Sequence, residues 1–181
     1  MSDQETLAQF VARKRQERPP LPRIRGVLGA ATLARMPDGW LVIVSYKQPP
    51  FDRWAPKAVP EGFVLTGFMN ETVMVSEVRG FRDGAQEWAV VHDPDVNRRG
   101  VQVDGAPPEP FTEIYRKAQE RQATGEADVD YIFDVPIDLS AAFCGFTPSY
   151  DMDVTWMELI EVKPQRAPKE GKGFFARLFG R

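Results

Sequence analysis

His92 and Cys144 are the only histidine and the only cysteine in the chain. A thiolate beside an imidazole makes a nucleophile and its base, so this pair is the first place to look for catalysis. Their settings argue against it. Cys144 sits in Ala141-Ala142-Phe143-Cys144-Gly145-Phe146, an apolar run that suits a buried, inert thiol. His92 precedes Asp93-Pro94-Asp95 and reads as a strand-end residue near a turn. One histidine and one cysteine also cannot build a thiolate or multi-histidine zinc site within the chain.

Carboxylates are the other source of chemistry. Asp128, Asp130, Asp134 and Asp138 are closely spaced, as are Asp151 and Asp153. Converging oxygens hold calcium or magnesium, and paired acids serve as acid and base in hydrolysis. Neither group has the glycine placement and closing Glu of an EF-hand loop, so both read as solvated or helix-capping aspartates. Gly26-Val27-Leu28-Gly29 lacks the third Gly and the Lys-Ser/Thr ending of a phosphate loop, and no Gly-x-Ser-x-Gly elbow occurs. The sequence therefore predicts no catalytic residue, no bound metal and no cofactor.

Two segments carry residue types suited to binding. Lys47 to Gly62 is long for a connection and holds Phe51, Arg53 and Trp54, types enriched at interfaces. Its four prolines, Pro49, Pro50, Pro56 and Pro60, lower the entropy lost on ordering. It is expected either to plug the end of a sheet or to meet a partner or ligand. The second segment is the basic aromatic stretch Lys169 to Arg181. Wound as a helix, Phe174, Phe175, Leu178 and Phe179 fall in one arc with Arg177 and Arg181 beside them. Such an element is able to enter a partner's groove or rest weakly on an anionic membrane through 172–181. Docking on its own domain or on a sister subunit is an equal alternative. One and a half turns between Gly173 and Gly180 cannot hold a helix alone.

Charge separates that tail from the body. From Lys163 onward six basic residues face one acidic, a net +5, which leaves −8 on the remainder of a chain whose total is −3. An acidic body argues against general nucleic-acid binding. The lone cysteine excludes an intrachain disulfide and favours a reducing, cytoplasmic setting. Ser2-Asp3-Gln4-Glu5 has neither the positive nor the apolar region of a signal peptide, and no run approaches the ~20 apolar residues that span a bilayer.

These segments need elements to position them. A length of 181 residues fits one domain with extensions, and 43% hydrophobic content is enough to bury a core. Sixteen prolines point to many turns rather than long helices. Residues 2–18 read as an N-terminal helix: Ser2 and Glu5 suggest a capping box, with Leu7, Phe10, Val11 and Lys14 at helical spacing. Pro19-Pro20-Leu21-Pro22 would end it. Residues 24–35 and 40–46 read as a hairpin around Met36-Pro37-Asp38-Gly39. Strands follow at 63–68, 72–81, 87–92 and 101–104, joined by short turns that make an antiparallel meander the economical topology. Phe111 to Gln122 carries the clearest helical pattern, with Phe111, Ile114, Tyr115 and Ala118 on one face and Pro110 at the first position. Residues 130–135 suggest a strand and 136–144 a short helix closed by Gly145, while 153–162 is open between strand and helix, with strand favoured.

The expected architecture is α+β. An antiparallel meander of about five to seven strands carries the amphipathic helix at 111–122, an N-terminal helix (1–18) and the short helix near 136–144. Residues 19–163 form the single domain and 164–181 a flexible basic tail. A motif-poor acidic body of bacterial type, with two binding segments, fits a non-enzymatic adaptor- or immunity-type protein that meets a protein partner or itself. The alternatives are a small-ligand binder or hydrolase with a carboxylate-lined pocket under 47–62, and a protein held on a membrane by its tail.

Overall fold

The structure is a computed structural model, and it describes residues 7–14, 31–45, 51–58, 61–126, 128–148 and 153–159. In chain order these form β1 (Leu7–Lys14), β2 (Ala31–Arg35), β3 (Trp40–Ser45), α1 (Phe51–Ala58), β4 (Phe63–Asn70), β5 (Val75–Arg82), β6 (Ala85–His92), β7 (Gln102–Gly105), α2 (Pro110–Thr124), α3 (Asp134–Cys144) and β8 (Trp156–Leu159). The fold is α+β, with every strand pairing antiparallel. The sheet order is β7-β6-β5-β4-β1-β3-β2-β8. It divides into a four-strand meander, β4 to β7, and a three-strand group, β3-β2-β8, with β1 joining them.

β1 corrects the expected N-terminal helix. Its backbone pairs with β3 from Gln9↔Ser45 to Lys14↔Trp40 and with β4 from Leu7↔Asn70 to Arg13↔Val64. A central strand satisfies its amides and carbonyls on both sides. That tertiary gain outweighs a helical spacing whose apolar face is thin.

Turn chemistry sets the meander's register. Asp83 and Gly84 both have positive φ, 50° and 81°, so β5 and β6 are joined by the two-residue turn whose twist matches the strands. Asp83 also ties that turn to the start of β4, its Oδ1 accepting from the Gly62 amide at 2.7 Å. The Met36–Gly39 turn closes β2 onto β3, with the Met36 amide donating to the Trp40 carbonyl at 2.8 Å.

Side chains alternate across the sheet. On one face Val42, Val44, Leu65, Val78, Trp88 and Val90 are buried with Ala118 of α2 and with Val135, Leu139 and Cys144 of α3. Trp88 fits there because its cross-strand partner is Gly80; a methyl group on Gly80 would overlap the indole. Val64, Thr66 and Phe81, which alternation turns to the opposite face, are buried as well. α1 packs on β4, β1 and β5. Its Ala55 and Pro56 are buried, so docking offsets the backbone bond that Pro56 removes from the helix. Within the expected 47–62 loop, residues 51–58 are therefore this helix.

α2 starts at Pro110, whose missing N–H costs nothing in a first turn. Its exposed side carries Arg116 between Glu113 and Glu120, and the Arg116 hydrogen bond holds the Glu113 carboxyl down to about 2. α3 ends at Gly145, which takes φ 68° and returns its amide to the Ala141 carbonyl. The expected strand at 130–135 is instead a turn running into α3. Asp130 Oδ1 accepts from the amides of Ile132 (3.0 Å) and Phe133 (3.2 Å), which folds the chain away from extended geometry. β8 agrees with the strand expected within 153–162.

Candidate functional site

The described residues offer three polar or exposed features: a buried histidine cluster, an acidic face and an open sheet edge.

His92 ends β6 with its side chain wholly buried. Its Nδ1 lies 3.0 Å from the Gly100 carbonyl oxygen and its Nε2 lies 3.0 Å from Asp130 Oδ2. The 93–100 loop folds back to deliver that carbonyl, using Asp93 Oδ1 to bind the Asp95 amide and Asn97 Oδ1 to bind the Arg99 amide. Ser76 stands opposite His92 across β5 and β6, also wholly buried. The three residue types of a hydrolytic triad are thus neighbours, but the wiring is different. A triad histidine receives the serine proton on one nitrogen and an orienting carboxylate on the other. Here the nitrogen left by Asp130 is taken by Gly100, and the Ser76 hydroxyl donates to the Phe133 carbonyl at 2.7 Å. Both imidazole nitrogens face acceptors, and a neutral ring carries one donor, so making both bonds takes one further proton on the ring or on Asp130. The arrangement ties the end of β6 to the turn before α3. It is a structural latch.

Cys144 is equally committed. Its Sγ donates to the Ser140 carbonyl at 3.1 Å, and burial pushes the thiol up to about 11. It lies in the core between α3 and the sheet and makes no contact with His92 in the bonds above.

The chain matches no protein-family model, no curated protein and no solved structure. Its site is therefore read from its own geometry.

The aspartates separate by role. Asp130 belongs to the latch. Asp134 and Asp138 stand one turn apart on α3, and burial raises both carboxyls above the usual range, with Asp138, Asp130 and Glu71 adding to the rise at Asp134. Arg121 opposes the shift at both. A carboxyl raised on folding contributes most below its unfolded value, and that contribution is lost as pH rises through the folded one. Among the described residues no group of histidine, cysteine and acidic side chains is arranged to hold a metal.

The sheet's two edges differ. β7 ends at Gly105, φ 69°, where a side chain would overlap the Glu87 carbonyl, and Pro107, Pro108 and Pro110 follow. Charge, special backbone and proline are the usual means of protecting an edge against pairing. β8 has none of the backbone devices. It bonds to β2 from Ala31↔Leu159 to Ala34↔Trp156, and no described strand lies beyond it. Trp156 is 36% exposed, its ring edge-on to Phe146 at 6.0 Å, and Met157 is 52% exposed.

Of the residues predicted for binding, Phe51, Arg53 and Trp54 all fall on α1, where Arg53 is exposed. Phe174, Phe175, Arg177, Leu178 and Phe179 lie outside the described residues. β8 falls in a segment for which strand was the favoured reading, but nothing in Trp156-Met157-Glu158-Leu159 marks it as an edge. Sheet order decides that.

Proposed function

We propose that this chain is a non-enzymatic protein-binding module of adaptor or immunity type, whose partner adds to the sheet along β8. The observation that carries this reading is that β8 is the last described strand of the sheet and bears Trp156 and Met157 exposed, one on each face. An extended segment laid on such an edge gains main-chain hydrogen bonds, while alternate side chains supply specificity. The commitment of His92 to Gly100 and Asp130, and of the Cys144 thiol to the core, supports binding over catalysis. A lone buried thiol also suits a cytoplasmic setting. No helix among the described residues is long and apolar enough to cross a membrane.

The test is affinity capture from the native cell with the parent chain and with Met157→Lys. A lysine on an exposed edge disfavours further strand pairing. The substitution sits on the surface and should change stability by less than about 0.5 kcal/mol. The reading expects a partner that the parent retains and the lysine variant releases. Equal retention by both chains, or no partner retained by the parent, would contradict it.

A further inference from the structure

The β4–β5 turn and the outward side of α3 share one patch. Met74 and Ile137 pack half-buried against the buried Met69 and Phe133, and Val73, beside Met74, is 54% exposed. Asp134 and Asp138 flank Ile137 along α3, and Glu71 precedes Val73 in the turn. Asp130 and Glu71 are both near enough to act electrostatically on Asp134. Arg121 is the cation that opposes this charge, and its guanidinium is already stacked on Tyr131 at 4.3 Å. The surface combines exposed apolar atoms with a surplus of carboxylates. A segment bearing both cations and apolar side chains relieves the repulsion and covers the apolar atoms together.

We infer that this face is the docking surface for the chain's own residues 163–181. Two observations select that occupant. The first is complementarity: the segment has six basic residues against one acidic, and it carries Phe174, Phe175, Leu178 and Phe179. The second is reach. The described chain leaves the sheet at Leu159, and the residues from there to Arg181 span up to ~70 Å when extended, against a radius of gyration of about 16 Å for a domain of this length. Tethering also raises the local concentration of the segment to roughly millimolar, so modest contacts suffice to hold it. The contact is a different surface from β8 and stands or falls independently of it.

Spin labelling of the full chain tests the inference. Arg181→Cys supplies the labelling site, since the Cys144 thiol is buried and engaged. With the label in place, the amide signals of 71–74, 134, 135, 137 and 138 should be selectively lost at low salt. They should return when the label is reduced, and return largely in high salt. Adding Asp134→Asn and Asp138→Asn should restore them at low salt. The salt titration on the parent chain gives the same information should that double variant fail to fold. Loss of signals centred elsewhere, on α1 for instance, would overturn the assignment, as would no loss at all or a loss indifferent to salt. Mixing labelled chains with isotopically marked, unlabelled chains covers the remaining case. Broadening in that mixture equal to that within one chain would make the occupant a second copy and overturn the intramolecular contact.

Discussion

Trp88→Ala is expected to destabilise the chain by about 3–5 kcal/mol in chemical denaturation. The side chain is 3% exposed and occupies the centre of the layer between the sheet and the helices. Its ring packs at 5.9 Å from Phe143 of α3. On the sheet side the indole rests in space that exists because Gly80 has no side chain. Truncation therefore opens a cavity bounded by a strand backbone on one side and a helix on the other, and neither can collapse to fill it. The cost belongs at the upper end for large-to-small core changes because two rigid elements face the void. A loss under about 1 kcal/mol would mean that α3 does not pack on β5 and β6 as described.

His92→Leu is expected to cost about 3 kcal/mol, although it adds no polar group and nearly conserves volume. The loss arises from what stays behind. The Gly100 carbonyl loses its buried donor, and Asp130 keeps a carboxylate whose Oδ2 has no protein partner. Breaking a buried pair by removing one member costs about 3–5 kcal/mol, and a buried acceptor left alone about 1–3 kcal/mol. The lower end applies because the Asp130 side chain is 23% exposed and water recovers part of its loss. A double-mutant cycle with Asp130→Asn checks the assignment. Coupling of at least about 0.5 kcal/mol fits a direct bond between the two; additive effects would contradict the latch.

How much of this was legible in the sequence follows from how local each signal is. Met36–Gly39, Pro110 and Gly145 each act on their own few residues, and each marks the turn or helix end it was expected to mark. β1 was misread because helical spacing and strand pairing compete, and the pairing partners lie about 30 and 55 residues away in sequence. α1 was misread because proline argues locally against a helix, whereas the burial of Ala55 and Pro56 that sustains it is tertiary. The same holds for the latch. His92 and Asp130 were each visible, but their meeting depends on the 93–100 loop, β7 and α2, which lie between them in the chain. An edge strand is a property of sheet order, so β8 could be read as a strand and not as a binding surface.

The central claim is that a partner pairs with β8. Amide hydrogen exchange with and without the captured partner addresses it at the strand itself. In the free chain, the amides of Trp156–Leu159 that do not bond to β2 face outward from the sheet and should exchange readily. With the partner bound, those amides should slow markedly, while Gln102–Gly105 at the opposite edge should be unchanged. Unchanged exchange at Trp156–Leu159 in a complex whose other amides show protection would contradict the account.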